Sequence, residues 1–431
     1  MKQIEVFEGN KLFDAPVSYP VTNPRCRFFG IGQNNSAVQI PLDESLLSRH
    51  IMFLGGIGTG KTNAFNQIIC QLRQTMNSSD VAIIFDTKGD FYTEFYRSGD
   101  VVISNDSTAT GPNGVDYWNI FNEIENDEHM EENIVEISKS LFHQKLEKTN
   151  QPFFPNAAKD LFAAVLTHFT RNNDTLHGDN RSLRSFLDKS PTAELREMLN
   201  KHADMKAMVS YIADDRSPQT QGVMSELQQM SREILLGNFK KQGTLSMRDL
   251  VRAKGGRFIF VEYDISVGSM LTPIYSLLFD MAIKEALGRR KSEGNVYFIA
   301  DEFRLIPNLQ HVDDAVNFGR SLGVKFMIGV QNVEQIFESY GEERARSIMS
   351  GFLTTVAFRV NDAKSKEYIQ GIHGKNRKKE IYMSSVQSRG IQESIREAYV
   401  VEDWDISNLQ LGEAIIGLPG SPPFKFRFKR A

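Results

Sequence analysis

Gly55, Gly60, Lys61 and Thr62 stand in the spacing Gly-x-x-x-x-Gly-Lys-Thr, within "RHIMFLGGIGTGKTNAF", which runs from Arg49 to Phe65. An apolar strand pattern enters the turn and a helical pattern leaves it, which is the context of a phosphate-binding loop. Gly55, Gly56, Gly58 and Gly60 let the backbone wrap closely, so that its N–H groups point inward at a β-phosphate. The helix start adds positive potential. In that setting Lys61 bridges the β- and γ-phosphates, Thr62 ligates magnesium, and Asn63 completes the nucleotide-binding set. The expected ligands are ATP and Mg2+.

A second stretch supplies the partner chemistry. "NVYFIADEF" is an apolar strand ending in Asp301, which places a carboxylate near magnesium. Glu302, the next residue, is suited to polarise the attacking water. That adjacency favours hydrolysis over phosphoryl transfer to a small acceptor. Gln331 ends the apolar run "VKFMIGVQ" and either senses the γ-phosphate or is a turn residue before a helix. Arg320, in "NFGRSLGV", is either a surface arginine at a helix end or a donor to transition-state charge in a neighbouring subunit. Asp86, Lys88, Gly89 and Asp90, in "IIFDTKGDF", follow another apolar strand, at the end of a parallel strand where ligands bind; a charged turn is the alternative.

These residues need a scaffold of alternating strands and helices. "HIMFLG", "DVAIIFD" (80–86), "DVVISN" (100–105), "RFIFVEYD" (257–264), "NVYFIAD" (295–301), "VKFMIGVQ" (324–331) and "FLTTVAFRV" (352–360) read as strands. Most are apolar on both faces, as in a parallel sheet covered on both sides. The fold class is therefore α/β, a RecA-like P-loop domain with a mainly parallel sheet interrupted by an inserted all-α domain. Residues 1–50 read as a strand-rich segment packing on the motor domain. Residues 51–122 and 249–431 form the nucleotide-binding domain, and 123–248 the helical insertion. In the insertion Leu161, Ala164, Val165 and His168 follow helical spacing, and Ser217 precedes Pro218 as a helix cap. A later helix has Ile274, Leu277, Leu278 and Met281 on one face. "EAIIGLPGSPPFKFRFKR" reads as two strands around a Pro/Gly turn.

Composition narrows the classes. The formal net charge is -4, so no global basic field points to nucleic acid. Two basic runs remain, "HGKNRKKE" (373–380) and "FKFRFKR" (424–430). Each reads either as a phosphate-contacting loop or as a solvated loop and a charged edge strand. The two cysteines give no zinc spacing, and Cys70 reads as a small buried thiol. No stretch approaches the ~20 apolar residues of a membrane helix, and "MKQIEVFEGNKLFDAP" lacks a signal-peptide core.

Taken in order, the phosphate loop, "DTKGD", "WNIF" (118–121), "FFPNAAKDLFAAVL" (153–166), "DEFRLIPNLQHVDDAVNFGRSLGVKFMIGVQ" and "LGEAIIGLPGSPPFKF" resemble the coupling-protein ATPases of conjugation and type IV secretion. This is the TraG/TraD-like group within the FtsK/HerA superfamily of hexameric DNA-pumping ATPases. The resemblance implies that Lys61 and Thr62 hold nucleotide and magnesium and that Asp301 and Glu302 are the acidic pair. It implies that Gln331 is the family's glutamine and that Arg320 reaches the neighbour's nucleotide. It also implies ATP-driven translocation of DNA, single-stranded or relaxase-linked, with relaxase or secretion cargo engaging the helical insertion. Family members usually begin with membrane helices. Their absence here leaves two readings, a membrane segment trimmed from the chain or a naturally soluble relative; we expect the latter, cytoplasmic or peripheral to the inner face of the membrane. Two other readings stay open: a HerA-like cytosolic ATPase in DNA processing or defence, and a nucleotide-binding adaptor for cargo.

Overall fold

A computed structural model describes residues 3–105, 116–172, 178–288, 294–383 and 391–430. Fourteen strands lie among the described residues: β1 (Gln3–Glu8), β2 (Cys26–Ile31), β3 (Ala37–Leu42), β4 (Ile51–Leu54), β5 (Val81–Asp86), β6 (Val101–Ser104), β7 (Arg257–Glu262), β8 (Val296–Ala300), β9 (Val324–Val330), β10 (Thr354–Phe358), β11 (Lys375–Met383), β12 (Ile391–Tyr399), β13 (Glu413–Gly417) and β14 (Phe424–Arg427). The chain divides into two compact units, one of residues 1–82, 290–304 and 313–431, the other of residues 83–289 and 305–312.

The first unit carries strands in the order β14-β13-β10-β4-β9-β8. β10, β4, β9 and β8 are mutually parallel, and β13 and β14 are added antiparallel. Every residue of β4, β8, β9 and β10 is buried, as expected where helices cover both faces. The helix Lys61–Thr75 buries Phe65, Ile68, Ile69 and Leu72 along one stripe. Cys70 falls off that stripe and is exposed, so the expectation of a buried thiol is corrected; the buried one is Cys26.

Two glutamines one turn apart on that helix do the work of a missing strand. Gln71 bonds both the N–H and the C=O of Arg27, each at 2.8 Å. Gln67 does the same for Phe29, at 2.8 and 3.1 Å. The edge of β2 is thereby closed against the phosphate-loop helix, together with Lys429 N, which donates to Phe29 O at 2.9 Å.

A separate sheet of order β1-β11-β12 contains the first basic run. The expected loop at 373–380 is a strand there from Lys375 onward, paired on both sides. Its first six residues, Lys375 to Glu380, are all polar or charged and carry no apolar periodicity.

The second unit holds strands in the order β5-β7-β6 and the helices Met130–Lys148, Phe153–Arg171, Asn180–Lys189, Thr192–Asn200, Pro218–Ile234, Met247–Ala253 and Gly268–Leu287. Ser217 caps its helix by accepting from Gln219 N. Leu161, Ala164 and Val165 are buried. The helix Gly268–Leu287 is buried on nearly all sides, wider than the single face expected. Where the helical stretch begins and ends, the chain clasps itself. Asn119 N donates to Leu245 O at 2.9 Å and Leu245 N to Tyr117 O at 3.0 Å. Glu123, fully buried, accepts from Trp118 Nε1 at 2.8 Å, Ser246 Oγ at 3.1 Å and Met247 N at 2.6 Å. Burial pushes that carboxyl up, and the donors oppose the push.

Candidate nucleotide site

β4 delivers the chain into the glycine loop, and Gly60 ends it with φ 116°, a left-handed conformation that disfavours any side chain. A Cβ on Gly60 would also lie 3.1 Å from Gly412 Cα. Gly412 in turn donates from its N–H to Thr59 O at 3.0 Å, so the turn before β13 is bonded to the loop. The side chain of Lys61 is buried inside the loop, its ammonium donating to Gly55 O at 2.5 Å and Gly56 O at 3.1 Å. Asn63 Nδ2 donates to Lys429 O at 3.0 Å, so Asn63 faces the end of the chain beyond β14.

β8 brings the acidic pair to the same place. Thr62 Oγ1 donates to Asp301 Oδ2 at 2.7 Å. Gly329 on β9 permits this approach: a Cβ there would sit 2.1 Å from Asp301 O. Nothing in the apolar run of β9 marked that glycine beforehand, because its need arises from the neighbouring strand.

Glu302 and Gln331 form the next layer. Gln331 Nε2 donates to Oε1 of Glu302 at 2.9 Å and to Oε2 at 3.0 Å. Arg304 Nε lies 3.8 Å from Oε2. Four of the sequence-derived residues, Thr62, Asp301, Glu302 and Gln331, are thus joined in two hydrogen-bonded pairs, anchored at the two adjacent positions that follow β8. Arg320 is not among them. It is exposed on the short helix Gly319–Leu322, its Nη2 3.5 Å from Ser45 Oγ.

His50, immediately before β4, was not singled out by its spacing. It is buried, accepts from Phe326 N at 3.0 Å and lies with Nε2 3.1 Å from Val316 O. Burial lowers its pKa to about 4, so it is neutral and ties β4 to β9.

Asp86 is likewise buried. It accepts from Tyr92 N at 2.8 Å and Lys88 N at 3.3 Å, organising the start of the helix Asp90–Phe95. Burial raises its pKa, and those donors oppose the rise. The charged-turn alternative describes these contacts.

The basic runs carry less free charge than their composition suggests. Lys375 pairs with Glu397 at 3.1 Å, Arg377 with Glu8 at 3.2 Å, Lys378 with Glu402 at 2.9 Å and Lys379 with Glu393 at 2.7 Å. In the second run Phe424, Phe426 and Phe428 point inward, and Arg427, Lys429 and Arg430 are exposed. The aromatic–cation alternation is the two-residue period of a strand.

The chain is similar to known proteins over most of its length. The sequence profile of the type IV secretion-system coupling protein DNA-binding domain matches residues 35–427. Coupling protein TraD of Escherichia coli (strain K12) is 22% identical over 336 residues, 74% of this chain and 42% of that protein. Type IV secretion system-coupling protein VirD4 of Bartonella quintana (strain Toulouse) is 25% identical over 231 residues, 50% of this chain and 36% of that protein. The chain thus spans less than half the length of these curated relatives. Among solved structures, the unbound bacterial conjugative coupling protein TrwBdeltaN70 superposes with a TM-score of 0.74 at 20% identity, covering 91% of this chain and 87% of that one. The fold is the RecA-like P-loop architecture. Among the described residues no helix is long and apolar enough to cross a membrane.

Proposed function

This chain belongs to the type IV secretion-system coupling protein family, and on that premise we propose that it hydrolyses magnesium-ATP to drive the transfer of DNA, or of DNA with attached protein, as part of a ring of identical subunits. The observation that carries the reading is the pair of contacts Thr62–Asp301 and Gln331–Glu302. They bring a hydroxyl and a carboxylate together as a cation would require, with a second carboxylate held one residue further on. These residues fit the group they would hold. A hydroxyl and a carboxylate suit Mg2+, a hard cation that prefers oxygen ligands. The ammonium of Lys61, already resting on loop carbonyls, suits phosphate oxygens. The structural neighbour TrwB has itself been solved in complex with ADP and Mg2+.

Each residue then has a task. Lys61 and the loop N–H groups orient the β- and γ-phosphates. Thr62 and Asp301 hold magnesium, which when bound neutralises phosphate charge. Glu302 takes the proton of the attacking water, and Gln331 fixes its carboxylate by donating to both oxygens. Arg320, exposed and away from its own subunit's cluster, is suited to reach a neighbour's nucleotide. DNA and relaxase or secretion cargo are the proposed partners, a hexamer the proposed working assembly, and residues 123–248 the proposed cargo-facing region. Under this reading the protein works in the cytoplasm at the inner face of the membrane.

Substitutions separate these tasks. Lys61→Ala abolishes binding of a fluorescent ATP analogue. Glu302→Gln retains binding and loses about 100-fold or more in turnover. Arg320→Ala also keeps binding and loses turnover, and mixing it with Lys61→Ala subunits restores part of the rate. Wild-type turnover in Glu302→Gln would remove Glu302 as the base, and absence of rescue in the mixture would remove Arg320 from the neighbour's site.

A further inference from the structure

The chain makes one short excursion out of the first unit. It leaves after Arg304, the residues 305–312 belong to the second unit, and it returns at Asp313. The excursion begins three residues after Glu302 and ends eight residues before Arg320. Both ends therefore lead directly to residues assigned to hydrolysis.

Inside the second unit this segment is gripped at successive points. Ile306 and Leu309 are buried. Ser276 Oγ, on the helix Gly268–Leu287, donates to Pro307 O at 2.8 Å. One turn further along that helix, the fully buried Asp280 accepts with Oδ1 from Gln310 N at 2.7 Å and His311 N at 3.4 Å. The ring of His311 bonds through Nε2 to Glu136, on the helix Met130–Lys148, and Glu136 also pairs with Lys284. An acid buried in an apolar helix is costly unless hydrogen bonds compensate it. Asp280 Oδ2 has no hydrogen-bond partner among the described residues, so core stability alone does not account for a carboxylate here.

We propose that Asp280, Glu136 and His311 are positioning residues for hydrolysis: by fastening residues 305–312 to the helical unit, they fix the backbone that carries Glu302 on one side and leads to Arg320 on the other. The inference rests on the reading of Glu302 as the base. Three residues span at most about 10 Å even when extended, and Phe303–Leu305 is already wound as a short helix. A shift of the fastened segment is therefore passed on to Glu302. A displacement of about 1 Å at a reacting group costs on the order of 100-fold in rate. Cargo that rearranges the helical unit would change the hydrolysis rate without touching the nucleotide.

The test uses the full chain. Asp280→Ala removes the acceptor, whereas Asp280→Asn keeps an oxygen for the two N–H donors. Asp280→Ala lowers kcat at least tenfold with KM for ATP unchanged within twofold, and Asp280→Asn recovers most of the loss. His311→Ala, at a partly exposed position, lowers kcat in the same direction and covers the case in which Asp280→Ala fails to fold. Folded Asp280→Ala and His311→Ala with wild-type kcat would overturn the proposal, as would kcat and KM changing together. If the wild-type chain does not turn over ATP, the reading of Glu302 fails, and amide hydrogen exchange decides the inference instead. A non-hydrolysable ATP analogue must then alter exchange at residues 305–312 in the wild type and not in His311→Ala; unchanged exchange in the wild type overturns it.

Discussion

Glu302 is gripped from one side by a single amide. Gln331 donates to both carboxylate oxygens, at 2.9 and 3.0 Å, with Arg304 Nε further off at 3.8 Å, so the direction of the proposed base depends chiefly on this amide. Removing a residue that orients a reacting group costs about 10- to 100-fold in metal and enzyme sites. Gln331→Ala should accordingly lower kcat by that range with nucleotide affinity preserved, measured by steady-state turnover and by titration of a fluorescent nucleotide. Equal loss in affinity and turnover would instead make Gln331 a direct nucleotide contact. At this scale the sequence was informative about identity and less so about pairing. Lys61, Thr62, Asp301 and Glu302 announce themselves by residue type and by following apolar strands. That Gln331 bonds Glu302 depends on β8 and β9 being neighbours, which no local spacing states. Gly329 and His50 escaped notice for the same reason, since each answers to a group on an adjacent strand.

Elements were legible where burial is two-sided. The continuous apolar runs of β4, β8, β9 and β10 have one physical explanation, whereas β11 opens on six polar or charged residues, Lys375 to Glu380, and reads locally as a loop. Its pairing with β1 and β12 supplies the partners Glu8, Glu393 and Glu397, each opposite-charge pair worth about 0.2–1 kcal/mol. The helix Gly268–Leu287 was legible as apolar, while the role of its one fully buried acid was not. Burial pushes Asp280 up to about 7, against roughly 4 in an unfolded chain. The folded state therefore holds this proton between those values, and stability falls as pH rises from about 4 to about 7. His311 adds in the same sense near neutrality: burial works against it, but Glu136 raises its pKa. Glu136 acts oppositely and only in acid. Burial raises its carboxyl, yet His311 and Lys284 bring it below the usual value. The fluorescence midpoint of the buried Trp118 should thus show the chain more stable near pH 5 than near pH 7.5. Asp280→Asn should flatten that difference by up to about 3 kcal/mol. An unchanged slope in the variant would mean that Asp280 is ionised throughout.

The whole molecule sets the Thr62–Asp301 and Gln331–Glu302 pairs in one unit and a mostly helical region in the other, with residues 305–312 assigned to the second unit. Family membership rests on a profile match from residue 35 to 427, far broader than the phosphate loop that first drew attention. The load is the part that residue chemistry alone does not fix. Four cations of the basic run at 375–379 are paired with carboxylates, and Arg427, Lys429 and Arg430 are exposed near residue 430. The central claim is that hydrolysis is spent on DNA, and steady-state ATP turnover of the purified chain with and without single-stranded and double-stranded DNA tests it most directly. The account predicts severalfold stimulation at low salt, fading as salt rises because phosphate contacts release counterions. Turnover indifferent to both forms of DNA at low salt would contradict it.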